Sequence, residues 1–258
     1  MKTSPVAKRG AAATPLSPAD FVPFDGLPGV AALARDCSLR QLWCNHEYTE
    51  VTHTSEEKLR GSTIWDVLPA ALADERAVLM EPALRDGSIV TFHQLYRGLR
   101  YVTRVHPLDP KAFGTRGIFV ILSPAVHPVL ARPSLPTLMP MAVTPDLGSL
   151  DTLTRRELEV LYCVAEGATA QQISRQLHIA LKTIERHCDS ICRKLGLPNR
   201  ASVVRFAVER GILGFPREQW IAMAARVREI DLEAESEIQS SYSLRSLSDS
   251  TSAKRIRT

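Results

Sequence analysis

Six prolines fall between residues 123 and 146: Pro124, Pro128, Pro133, Pro136, Pro140 and Pro145. Proline lacks a backbone N–H and locks φ, so neither a helix nor an inner strand runs through such a stretch. Proline-rich segments form stiff, extended spacers. The chain is therefore divided into two folding units, and 258 residues suffice for both. With 45% apolar and 23% charged residues, the chain has the composition of ordinary globular cores.

The two sides carry different patterns. In residues 29–123, "LRQLWCNHEYTEV" and "SIVTFHQLYRGLRYVTRVHPL" alternate and are rich in β-branched and aromatic residues, and "RGIFVILSP" is a short apolar run. These are strand signals. Between them, "SEEKLRGSTIWDVLPAALADERAVLMEPALRDG" reads mostly as helices, with Ser55 as N-cap and Glu56 and Glu57 in the first turn. Residues 147–214 are nearly all helical in pattern. The expected organisation is thus a multidomain α+β chain: a disordered arm over 1–28, a mixed domain over 29–123, a linker over 124–146 and a helical domain over 147–214. A C-terminal helix over 215–238 starts with Pro216 at N1. Its apolar residues Trp220, Met223, Val227, Ile230 and Ala234 step by three and four. They suit a coiled-coil seam or packing on the helix's own domain. The Ser-rich tail over 239–258 reads as disordered.

Several function classes find no support. No run of eighteen apolar residues marks a membrane span, and no apolar segment follows Lys2, Lys8 and Arg9 as in a secretory signal, so a cytoplasmic protein with no membrane partner is expected. Five cysteines without a CxxC pair read as reduced thiols. Cys188 and Cys192 stand at i,i+4 beside His187, but no second ligand pair stands at zinc spacing, so no metal is expected. GxSxG, P-loop and GxGxxG motifs are missing, and "HEYTE" has Glu50 where a zinc protease needs its second His. No enzyme and no cofactor are expected.

The helical half is more explicit. Thr154 and Glu157 make a capping box, and the helix they open stops at Gly167. A short helix follows Thr169, with Ile173 and Leu177 inward. "HIAL" leads into "ALKTIERHCDSICRKLG", where Ile184, Cys188, Ile191 and Leu195 form one apolar stripe. A fourth helix runs from near Asn199 to Gly211. Two short helices joined by a tight turn and braced by others make a helix-turn-helix. Its second helix lies in the DNA major groove.

The stretch "LTRRELEVLYCVAEGATAQQISRQLHIALKTIERHCDSICRKLGLPNRASVVRFAVERGIL" resembles the LuxR-type (NarL/FixJ) helix-turn-helix domain over about 60 of 258 residues. The shared positions include Thr154, Glu157, Gly167, Ile173, Thr183, Ile184, His187, Ile191, Lys194, Leu195, Arg200 and Gly211. The resemblance implies a transcriptional regulator whose third helix, about 181–195, reads double-stranded DNA. Thr183 would hold a phosphate at the helix N-terminus. Glu185, Arg186 and Asp189 would face bases, with Arg186 suited to guanine and Glu185 to a cytosine amino group. Lys182, Arg193 and Lys194 would contact phosphates. The fourth helix would pair two copies through Val204 and Val208, giving a homodimer. Departures from the family are Ala180 at the usual N-cap Ser, Ile184 for Val, and Cys188 and Asp189 at commonly basic or neutral positions. Residues 146–214 carry ten Lys/Arg against eight Asp/Glu, which implies modest non-specific affinity. The acidic Glu185 and Asp189 also suit a second reading, an adaptor whose helical domain docks protein.

The order strand, strand, helices and three strands, with "WCNHEYTEVTHTSEEKLRGSTIWDVLP" at its centre, resembles a PAS domain. That implies an antiparallel sheet with helices, sensing an unknown small molecule or protein partner. Trp43, Tyr48, Trp65 and Asp66 have the residue types of an acyl-homoserine-lactone pocket but not its spacing, and both tryptophans read as core.

Overall fold

The computed structural model describes residues 14–125 and 140–226. Residues 1–13, most of the expected linker, the end of the C-terminal helix and the Ser-rich tail lie outside the described residues.

The N-terminal half is built on strands β1 Ala31–Asp36, β2 Gln41–Cys44, β3 Val90–Tyr96, β4 Leu99–Pro107 and β5 Gly117–Pro124. They form one antiparallel sheet in the order β2-β1-β5-β4-β3. Helices α1 His46–Thr52, α2 Glu56–Leu59, α3 Ile64–Val67 and α4 Ala70–Asp86 lie between β2 and β3, and the short α5 Pro110–Phe113 lies between β4 and β5. The expected order is found, with one correction inside it. "LRQLWCNHEYTEV" is strand only to Cys44. Asn45 then turns the chain into α1, accepting from the Tyr48 N–H at 3.1 Å and the Ala32 N–H at 2.9 Å. A buried Asn that caps a helix outweighs the alternation beyond it.

The sheet is covered on both faces, which is why β1 is buried at nearly every position. Tyr48, Ile64, Ala73 and Met80 of the helices pack with Phe92 and Val105 of the sheet. Phe21 closes a separate cluster with Ala32, Ala34 and Phe119. Phe21 belongs to a 3-10 turn over Pro18–Phe24, and its ring lies 4.5 Å from that of Phe119. Residues 14–28 are therefore not a disordered arm. Low hydrophobicity argues for disorder on average, but Phe21 and Phe24 supply the aromatic surface that this face of the sheet needs. Trp43 joins the same cluster half-buried. Trp65 is not core: it is 45% exposed and donates from Nε1 to Asp74 at 2.7 Å.

The C-terminal half comprises α6 Arg155–Ala165, α7 Ala170–Leu177, α8 Leu181–Leu195 and α9 Arg200–Glu209. Residues 217–226 are also helical. Trp220, Met223 and Ala224 of this last helix are buried in the same core as α6. The Trp220 Nε1 donates to the Leu158 carbonyl at 2.9 Å, so the helix packs on its own unit up to residue 226. Val227, Ile230 and Ala234 lie outside the described residues.

The end of the expected linker is not a spacer. Residues 140–147 lie along β3: His93 donates to Pro140 at 3.0 Å, Ala142 to His93 at 2.8 Å and Asp146 to Leu95 at 3.1 Å. Glu75 accepts from the Val143 and Thr144 amides at 2.7 and 2.8 Å, and Arg76 donates to the Thr144 carbonyl at 3.0 Å. Proline density marked the boundary, but Pro140 and Pro145 sit where a one-sided pairing does not need their missing N–H groups. Beyond this seam, the Arg100 amide donates to the Arg210 carbonyl at 3.0 Å, and the Arg100 guanidinium lies 5.4 Å from the Phe215 ring centroid. The two halves therefore share a hydrogen-bonded junction at the β3–β4 hairpin.

Candidate nucleic-acid interface

The geometry of the helical unit begins with its caps. Thr154 and Glu157 form the expected capping box, with Thr154 N–H to Glu157 at 2.8 Å. Thr169 and Gln172 form a second one at the start of α7. His178 ends α7 in the left-handed conformation (φ 54°), the Ile179 amide reaches back to Ser174 at 3.0 Å, and the Ser174 hydroxyl donates to the Ile179 carbonyl at 2.6 Å. These bonds set the turn of three residues, 178–180, before α8. Ala180 stands at the N-cap of α8 and offers no side-chain acceptor. Gly196 closes α8 with φ 64°, as its position after the helix requires.

The apolar stripe of α8 holds the helix down. Ile184 and Ile191 are fully buried against α6, and Cys188 and Leu195 are half-buried beside them. Each buried isoleucine contributes about 2–3 kcal/mol. Arg200, at the start of α9, donates to the Ala168 carbonyl and, at 3.5 Å, to the Cys188 sulfur. Sequence reading treated Arg200 only as a shared family position; its structural role is to tie α9 to the loop before α7.

With that stripe fixed inward, Lys182, Glu185, Arg186, Asp189 and Arg193 are all exposed on the other side, and Thr183 is half-buried at the first turn. Among the described residues Lys182, Glu185, Arg186 and Asp189 make no ion pair. The Arg193 guanidinium reaches the Ser190 hydroxyl at 3.4 Å. Lys194 differs from the rest. Its ammonium donates to Glu157 of α6 at 2.7 Å, and its side chain is 28% exposed against 5% for Glu157. Burial pushes the Glu157 carboxyl up, but hydrogen bonds from Lys194, Ser190 and Thr154 outweigh it and lower it to about 2. Glu157 is thus ionised at neutral pH and pins the C-terminal part of α8 to α6. On α9, Val203 and Ala207 are buried toward α6, while Val204 is half-buried and Val208 is 39% exposed.

Family comparison bears on this arrangement directly. Residues 151–207 match the family described as "Bacterial regulatory proteins, luxR family". This segment is a LuxR-type helix-turn-helix domain. Residues 24–124 match the "PAS fold" and form the PAS domain of the chain. The oxygen regulatory protein NreC of Staphylococcus aureus is 36% identical over 63 residues, which is 24% of this chain and 29% of that protein. The chain thus matches under a third of the length of such curated relatives. Among solved structures, the VqmA–ligand–DNA complex from Vibrio cholerae is 20% identical, with a TM-score of 0.43 over 80% of this chain and 93% of that one. The PAS domain of BvgS from Bordetella pertussis is 22% identical, with a TM-score of 0.35 over 40% of this chain and 81% of that one. The matched family is one of bacterial regulatory proteins.

Among the described residues no helix is long and apolar enough to cross a membrane.

Proposed function

We propose that this protein is a transcriptional regulator that binds double-stranded DNA as a homodimer, with its PAS domain responding to a small-molecule or protein signal. The observation that carries the reading is the polar ridge of α8. Lys182, Glu185, Arg186, Asp189 and Arg193 stand exposed on a helix whose opposite stripe is buried to zero exposure at Ile184 and Ile191. Arg186 reads a guanine, Glu185 accepts from a cytosine amino group, Asp189 faces a neighbouring base, and Lys182, Thr183 and Arg193 bond phosphates. Lys194 contacts phosphate only by sharing its ammonium with Glu157. Val204 and Val208 on the outer side of α9 supply the dimer contact. The signal acts by changing how two α8 helices are spaced against half-sites about 34 Å apart.

The test is selection of full-length protein on a randomised duplex pool across a salt series. A two-fold motif with a steep salt dependence is expected. If no duplex is enriched, and a Lys182/Arg186/Arg193 triple Ala variant keeps its cellular function, the α8 ridge docks protein through Glu185 and Asp189 and the DNA reading falls.

A further inference from the structure

The PAS domain holds a partly open cavity of about 50 Å³ between its helices and the sheet. Its wall is mostly apolar, with Met80, Phe92 and Leu122 among the residues lining it, but two arginines also line it, Arg35 and Arg76. Both are almost fully buried, at 2% and 3% exposure. Charges buried this deeply are normally paired.

Arg76 is paired. Its Nη1 meets Glu75 at 2.8 Å, its Nε donates to Gln94 at 2.6 Å and its Nη2 to the Thr144 carbonyl at 3.0 Å. Arg35 is not. It donates to the Leu39 carbonyl at 2.6 Å, to the Ser62 carbonyl at 3.5 Å and to the Tyr48 hydroxyl at 3.4 Å. Among the described residues no carboxylate comes within ion-pair distance of it. The wall therefore carries two cations, of which Arg76 alone has a carboxylate partner, Glu75, and the planar fork of Arg35 is the group best suited to a carboxylate ligand.

Size then limits the ligand. A site of this volume holds about four water-sized groups, at roughly 10–15 Å³ each. That matches acetate and, at its limit, propionate, and is far smaller than a nucleotide, a flavin or a long acyl chain.

We propose that this cavity binds a short-chain monocarboxylate, with its carboxylate on Arg35 and its carbons against Phe92, Met80 and Leu122. The inference rests on the reading of the PAS domain as the responsive half and names the chemistry of its signal. It also gives the signal a route. Arg76, on the same wall, holds the Thr144 carbonyl of the segment that leads into the LuxR-type domain.

The experiment titrates full-length protein, without DNA, with sodium acetate, propionate and octanoate and with neutral acetamide. Isothermal calorimetry and thermal unfolding are read against sodium chloride at equal ionic strength. Saturable binding of acetate or propionate is expected, at least tenfold tighter than acetamide, with no binding of octanoate. Arg35→Gln removes the charge, and Leu122→Phe fills the cavity without touching any charge. Each weakens propionate binding at least tenfold while the circular dichroism spectrum is kept. If Arg35→Gln fails to fold, Leu122→Phe carries the test. No carboxylate binding above the chloride control, acetamide binding as well as acetate, or full affinity in Leu122→Phe overturns the proposal. Duplex binding is measured separately on the same samples. Loss of carboxylate binding with DNA binding intact sinks the cavity site alone. Carboxylate binding without any DNA binding keeps the site and sinks the regulator reading.

Discussion

Glu157→Gln removes a charge from the contact that pins α8 to α6. Gln keeps the shape and still accepts from the Thr154 amide, so the cap survives while the ion pair with Lys194 is lost. Holding a carboxyl at about 2 that would otherwise titrate near 4.5 corresponds to about 3 kcal/mol of folding free energy at neutral pH. Lys194 remains 28% exposed, so water takes up the ammonium left behind and the cost falls to about 2 kcal/mol. The pH dependence follows from the sign of the shift. A carboxyl lowered by folding stabilises fully above its unfolded value and loses that contribution as pH falls toward about 2. The gap between wild type and variant is therefore widest at pH 7 and narrows by about 1 kcal/mol at pH 3.5. Urea titration followed by the amide resonances of Leu161 and Ile191 reads the helical unit by itself. If both proteins lose stability in parallel from pH 7 to pH 3.5, Glu157 is not held down by this contact and the argument fails.

Three further changes probe other parts of the molecule. Ile191→Ala opens a cavity under α8 and should cost 2–5 kcal/mol, read by thermal unfolding; a change below about 1 kcal/mol would mean that α8 is not held by this stripe. Gly98 has φ +71°, and a Cβ there would stand 2.5 Å from the Leu147 carbonyl, so Gly98→Ala should loosen residues 142–147 by about 1–3 kcal/mol, seen as faster amide exchange at Ala142 and Asp146. Burial, and then the nearby Arg100, lower His93 to about 4, so it stays neutral when folded and stability falls as pH drops from 6.5 toward 4; His93→Asn should flatten that part of the pH profile of urea unfolding.

Much of the helical half was legible because its signals are local. A capping box, a C-terminal glycine and a stripe at three and four are all set within one turn of the chain, and α6 to α9 begin within a residue or two of where Thr154, Thr169, Ala180 and Asn199 place them. The exposure of the α8 candidates was legible for the same reason, since burying Ile184 and Ile191 leaves only one side for Lys182, Glu185 and Arg186. Lys194, which the resemblance places on phosphate, gives no local sign of its ion pair because its partner Glu157 stands 37 positions earlier. The cavity was harder still. Arg35 in "AALARD" and Arg76 in "ADERAVLM" look like ordinary strand-end and helix-face charges. Only the closing of helices over the sheet buries them together. Phe21 was missed by a composition argument, which averages over a segment and cannot weigh one aromatic ring against the bare face of a sheet.

The seam along β3 bears on how such proteins can be cut and recombined. Residues 140–147 belong to the helical half by chain order but to the sheet by hydrogen bonding. A fragment ending at residue 125 bares the edge of β3, an invitation to strand pairing between copies, and leaves Glu75 and Arg76 without the backbone groups they hold. A fragment starting at residue 140 carries a loose strand with no sheet to lie on. Chimaeras that exchange one sensory half for another therefore need to carry 140–147 with the sheet it matches, placing the splice near Gly148.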